Sequence, residues 1–343
     1  MSDRDRGRRR YGVLVLLLAV VLLASAAGSL LVGSAEIPLR RTLTLLASSQ
    51  PSLERTILLK LRLPRILLAL VVGAGLASAG TAYQSLFSNP LADPFVIGAS
   101  SGAALGATAA ILAGWGWNGG WGIGPLPLLA FGGALATVGL VYLIGAGGSR
   151  SSPVTLLLAG AAVSTVVGAL VSLLMILHDQ SLGVIFNWLL GGLSSATWHD
   201  VRYGAPLVGL GVLALRLLSR PLDALALGDD TVASLGLSAL GLRLAIVVAA
   251  TVATAAAVAT AGIIGFVGLV APHAARLLVG GENGRLLPAS CLLGALLLLL
   301  ADDAARTLAA PQEIPISILT ALVGGPFFLL LLRRQSRAPG GLP

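Results

Sequence analysis

The chain has 343 residues, 56% hydrophobic and only 10% charged, with a mean hydropathy of +0.95. A soluble protein of this size needs far more polar surface, so lipid must cover most of the exterior. The formal charge of +8 comes almost wholly from arginine, with Lys60 the single lysine and no aromatic platform beside the basic clusters; this reads as a positive-inside signal rather than nucleic-acid binding.

Only helices or closed barrels satisfy every backbone group in lipid, and the apolar runs lack strand-like alternation. The expected fold is therefore all-α, a polytopic membrane helical bundle. In chain order the predicted spans are Tyr11–Gly33, Leu63–Ser88, Phe95–Ala113, Leu126–Gly145, Val154–Leu177, Asp200–Ser219, Gly241–Ala261, Ile263–Gly280, Leu286–Ala309 and Ile314–Leu332. The first follows five arginines and contains Ala24-Ser25-Ala26, which resembles a cleavage site. It exceeds a signal-peptide core in length and is read as a retained helix.

Ten spans put both termini on one side. The N-terminal arginines, Arg150, Arg216, Arg220, Arg243, Arg276, Arg285 and the C-terminal arginines fall together there, fourteen of the 22 basic residues. Both termini are thus expected in the cytoplasm, with tails at 1–10 and 335–343 on a single membrane domain, 1–343. Trp115, Trp117, Trp121, Trp188 and Trp198 are expected in an external aromatic belt. Cys291, the lone cysteine, excludes an internal disulfide and lies in an apolar run, where it reads as packing.

Several segments break the apolar pattern. Outside, Arg62 and Arg65 flank Leu63-Pro64, and Arg306 falls on the same side. A cationic patch there runs against the positive-inside bias; lipid headgroups, Glu54 or an acidic docking protein are its candidate partners. Inside, SNPLADP (Ser88–Pro94) and GGSRSSPVT (Gly147–Thr155) are proline-stiffened turns, either ordinary connectors or gates. The inside segment Arg220–Ser238 interleaves leucines with Asp223, Asp229 and Asp230, and Gly228 and Gly236 divide it into two short helices. Such amphipathic pieces suit docking of a soluble partner or lie against their own bundle. Finally, AGIIGFVGLVAPHAAR (Ala261–Arg276) places glycines, a proline, a histidine and an arginine where lipid cannot satisfy a broken helix, so protein or a water-filled path must surround it.

The chain cannot hydrolyse ATP by a P-loop, because Lys60 is followed by Leu61. No metal-ligand spacing joins His178, His199 and His273, and no nucleophile–base arrangement can be placed, so an enzyme is not expected. An ion-coupled carrier is the alternative of another class; its candidate groups are Asp302, Asp303 and Glu313, which the spacing also makes partners of Arg306.

Together these segments resemble the FecCD-type permeases of ABC importers, over essentially the whole chain. The resemblance is carried by RLPR (Arg62–Arg65), GAGLASAGTAYQSLFSNPLADP (Gly73–Pro94), GASSGAALGA (Gly98–Ala107), LLAG (Leu157–Gly160), NWLLGGLSSATW (Asn187–Trp198), PLDALALGDDTVASLGL (Pro221–Leu237), the stretch at Ala261–Arg276, and Leu299–Arg334. It implies a ten-helix permease of the bacterial inner membrane, working as a homodimer with two cytoplasmic ATPase subunits and an external substrate-binding protein. It implies that this subunit holds no cofactor, ATP and Mg being bound by the partner ATPase. Arg62, Arg65 and Arg306 would receive acidic residues of the binding protein. Asn89, Leu91, Ser151, Ser152 and Pro153 would form the cytoplasmic gate. Leu222, Leu225, Leu227, Gly228, Asp229, Leu235 and Gly236 would couple to the ATPase. The implied cargo is a chelated iron complex, siderophore or haem, ahead of cobalamin.

Overall fold

A computed structural model describes residues 3–33, 37–47, 50–115, 124–146 and 153–335, and the regular structure among them is helical throughout. The helices are α1 (Asp3–Ser29), α2 (Leu39–Ala47), α3 (Leu53–Thr56), α4 (Leu63–Leu86), α5 (Ala99–Leu112), α6 (Pro125–Ala146), α7 (Pro153–Leu177) and α8 (Leu182–Leu189). They continue with α9 (Trp198–Leu217), α10 (Ser219–Ala226), α11 (Asp229–Ser234), α12 (Ala239–Ala261), α13 (Val267–Val279), α14 (Asn283–Thr307) and α15 (Ile316–Gln335).

Helix α4 is the axis of the fold and packs against α9, α12, α13 and α14. Its small residues make this possible. A Cβ on Gly73 would run into the Gly294 carbonyl of α14, and one on Gly80 into the Gly268 carbonyl of α13. Backbones can approach this closely only where no side chain intervenes. By contrast α1, against α14, is 6% buried over its apolar window, whereas the α4 rod is 78% buried. Lipid or another protein must therefore cover the apolar surface of α1.

Among the described residues, six helical rods are long and apolar enough to cross a membrane: α1, the continuous Leu53–Leu86 rod, α6, α7, α12 and α14. The α9–α10 pair, bent by 54°, adds a seventh if counted as one span. Helices α5 and α13 and the apolar part of α15, Ile316–Leu331, are shorter, so the ten expected spans are not ten full-length helices. Two shortenings have local causes. The third span, expected from Phe95, becomes helical only at Ala99, after a connector with two prolines that ends at Gly98 with φ +91°. The eighth, expected from Ile263, starts at Val267 because Gly262 and Phe266 both take positive φ. Helix α1 begins at Asp3, ahead of the apolar run, so residues 3–10 of the expected tail are helical.

Pro64 shapes the N-terminal end of α4. A proline inside a helix lacks the N–H its turn requires, and here Ile57–Arg62 widens into a π turn that joins α3 to α4. In π pairing the Leu59 carbonyl would accept from residue 64, which has no N–H to give. Trp198 fills that vacancy, its indole N–H donating to the Leu59 carbonyl at 2.8 Å. Trp198 is a structural donor, and Trp188 is 8% exposed within the core. Trp115 is exposed, and Trp117 and Trp121 lie outside the described residues.

Candidate functional site

The unwound stretch between α12 and α13 is held by a second irregular turn, residues 190–197, which follows α8. Gly192 N–H donates to the Ala261 carbonyl at 2.8 Å, satisfying a group the helix break releases. Gly262 (φ +68°) and Gly191 (φ +60°) face each other so closely that a Cβ on either would strike the other segment's backbone. Ser317 Oγ of α15 donates to the Leu190 carbonyl. The break is thus enclosed by protein on these sides, as a membrane setting demands. Beside it lies a cavity of about 450 Å³ bounded by the Gly191–Ser195 turn, Gly262 and Glu313–Ile316.

Above this cavity the three predicted arginines converge. The Arg65 guanidinium donates Nε–H to Asp302 at 2.9 and 3.0 Å and Nη1–H to Glu313 at 2.9 and 3.0 Å. Arg306 pairs with Asp303 and with Asp302 (3.3 Å), and donates to Ser29 Oγ (2.8 Å) and the Val32 carbonyl (3.0 Å). Arg62 donates to the Leu30 carbonyl at 2.6 Å. Three arginines and three carboxylates balance, which is how charges survive burial; Asp302 is fully buried, and each arginine is at most 8% exposed. The three arginines also line a cavity of about 260 Å³ that shares Arg65, Ser194 and Glu313 with the larger one. Glu54, weighed as a partner for this patch, instead pairs with Arg41 at 2.7 Å.

Near the C-terminal end of α4, Arg220–Ser238 forms the two helices expected, α10 and α11, with Gly228 (φ +111°) and Gly236 (φ +73°) at the turns. Their leucines divide by face. Leu222 and Val232 are fully buried against the bundle and Leu225 is half-buried, whereas Leu227 and Leu235 are 76% and 61% exposed. Asp229 pairs with Arg243 at 2.6 Å. The connector after α4 turns at Ser88 (φ +48°). Asn89 Oδ1 accepts from Leu91 N–H at 2.9 Å, and Asp93 Oδ1 accepts from Phe95 N–H at 2.9 Å. The connector's Val96-Ile97 backbone packs on Gly160 of α7, whose first residue is Pro153. Ser151 and Ser152 lie outside the described residues.

Sequence reasoning missed the paired glycine turn at 191–192 and the polar contacts of Asn283. The Gly-Gly dipeptide was the available signal for the first; nothing local marks the second. His273 sits edge-on to Phe327 at 5.6 Å between ring centroids, and among the described residues no cluster of His, Cys, Asp and Glu could hold a metal ion.

A family model described as the FecCD transport family matches residues 16–334. The hemin transport system permease protein of Yersinia pestis is 38% identical, over 99% of this chain and 100% of its own length. The cobalamin import system permease protein of Halobacterium salinarum is 43% identical, over 84% of this chain and 76% of its own. A solved inward-facing structure of a metal-chelate type ABC transporter superposes with a TM-score of 0.83 at 34% identity, covering 94% of this chain and 99% of that one.

Proposed function

The chain belongs to the FecCD transport family, and from that premise we propose that it is the multi-pass permease subunit of an ATP-driven importer for a chelated iron complex. The observation that carries the energy source is the inner face. Two short helices separate a buried apolar side, Leu222 and Val232, from an outward side, Leu227 and Leu235, that the bundle leaves uncovered. A soluble ATPase docked there supplies the work, with ATP and Mg in that partner and no cofactor in this subunit. Alternating access then follows from movement of α10 and α11 relative to the gate connectors, with Asn89 and Leu91 on one and Ser151, Ser152 and Pro153 on the other.

A second copy of the chain completes the path. Helix α7 is only 17% buried over its apolar window and presents Ala161, Thr165, Ala169 and Ser172 on one exposed face. Small residues at this spacing support close helix–helix packing. Outside, an acidic binding protein docks over Arg62, Arg65 and Arg306. Their charges are already balanced, so an incoming carboxylate would exchange with Glu313, whose side chain is 40% exposed. The whole assembly sits in a bacterial inner membrane. Cobalamin is the second cargo reading, favoured by the 43% identity to the cobalamin permease.

The ion-coupled carrier has lost its candidates, because Asp302, Asp303 and Glu313 all pair with arginine. The docking face is tested by substitution. Leu227→Asp with Leu235→Asp should abolish capture of the ATPase subunit while the detergent-solubilised permease remains monodisperse. Undiminished capture would refute the proposed face.

A further inference from the structure

Helix α14 begins at Asn283, whose backbone N–H is one of those a helix cannot satisfy itself. Its partner comes from another part of the chain. Asp223 Oδ1, on α10, accepts from that N–H at 2.9 Å and from the Asn283 side-chain amide at 2.7 Å. Asn283 Oδ1 in turn accepts from Ser85 Oγ at 2.8 Å, in the last turn of α4. Asn283 is 2% exposed, so both ends of its side chain are committed to these two bonds. A carboxylate at a helix N-terminus also gains from the helix dipole.

The chain of bonds ends at the gate connector. Asn89 N–H donates to the Gln84 carbonyl at 3.0 Å, beside Ser85, and the connector's Asx turn starts there. Leu222, next to Asp223, is fully buried in the same core as Leu86, Phe87 and Leu287. A displacement of α10 must therefore carry the ends of α4 and α14 with it or break two part-buried charge-assisted hydrogen bonds.

We propose that Asp223, Asn283 and Ser85 are positioning residues that transmit movement of the coupling helix α10 to the gate connector at Ser88–Gly98. The proposal rests on the reading of Arg220–Ser238 as the ATPase-docking segment. An apolar contact alone would transmit a push; the Asp223 bonds also transmit a pull, which reversible gating requires.

The test uses the full complex with its ATPase partner in proteoliposomes, carrying Leu91→Cys in a Cys291→Ser background. The measured quantity is the change in maleimide labelling rate at position 91 on adding ATP and vanadate. Asp223→Ala and Asn283→Ala should each reduce that nucleotide-driven change about tenfold, the scale of losing a charge-assisted hydrogen bond. The exchange Asp223→Asn with Asn283→Asp should restore it. In that variant the new amide at 223 accepts from the backbone N–H at 283 and donates to the new carboxylate, which still accepts from Ser85 Oγ.

No nucleotide-driven change in the parent would overturn the docking reading itself. A parent that responds, with single variants that respond equally, would overturn the relay alone. An exchange variant no better than the single variants, in labelling or in assembly, would also overturn it. Restoration by the exchange supports it even where the single variants fail to assemble.

Discussion

Asp302→Ala should remove most of the folded protein from the membrane. Asp302 is fully buried and faces both Arg65 and Arg306. Deleting it leaves two guanidinium groups, each at most 8% exposed, with one carboxylate fewer between them. Breaking a buried pair in this way costs about 3–5 kcal/mol, a large share of a total stability of about 5–15 kcal/mol. The measurement is the monodisperse fraction after detergent extraction, with thermal stability of whatever remains. Arg65→Met combined with Asp302→Leu should recover part of the loss, because an apolar pair of similar volume removes the uncompensated charge. An undiminished yield in Asp302→Ala would show that the cluster is not what holds α4 to α14.

The same cluster determines how docking can be probed. Charge reversal at Arg65 or Arg306 would set a new carboxylate against Asp302 and Asp303, so lost binding would report lost folding. Glu313 is the more informative position. It is the half-exposed member of the cluster, and Glu313→Gln keeps an acceptor for Arg65 while easing entry of an external carboxylate.

Gly262→Ala is expected to be nearly as damaging, for a purely backbone reason. Gly262 has φ +68° and ψ −165°, a combination that side-chain-bearing residues avoid. A Cβ there would lie 2.5 Å from the Trp188 carbonyl oxygen and 2.8 Å from Gly191 Cα. Neither is a side chain that can swing aside. Strain of about 1–3 kcal/mol would add to loss of the Gly192–Ala261 hydrogen bond as the segments part. Gly265→Ala, three residues on, is the internal control: a Cβ there meets nothing within 4 Å. Stability by thermal unfolding should fall sharply in the first variant and by less than about 0.5 kcal/mol in the second. Equal effects would mean that the facing glycines do not anchor the break.

Much of this fold is legible in composition, because lipid leaves so few ways to satisfy a backbone. Helix α12 ends at Ala261 as its apolar pattern indicates, and Gly228 and Gly236 mark the α10–α11 turns that the structure shows. What could not be read locally depends on partners far along the chain. The glycines of Ala261–Arg276 announce a broken helix, but not that the distant Gly192 N–H takes the Ala261 carbonyl the break frees. Trp188 and Trp198 look like interface tryptophans until burial and the orphaned Leu59 carbonyl are seen. The outer arginines read as a patch of like charge. Only the fold brings Glu313 and Asp302 onto Arg65, 248 and 237 residues away in sequence. Asn283 carries no sequence signal at all; its role comes from the distant Asp223 and Ser85 that it joins.

The central claim is that movement of a chelate through this permease is driven by ATP hydrolysed in a partner. Its most direct test is uptake into proteoliposomes holding the permease and its ATPase partner, with the binding protein outside, using haemin, ferric citrate and cobalamin as probes. Accumulation of an iron chelate is expected only when ATP is inside, abolished by Leu227→Asp with Leu235→Asp and unaffected by collapsing a proton gradient. Accumulation driven by a proton gradient without ATP would contradict it.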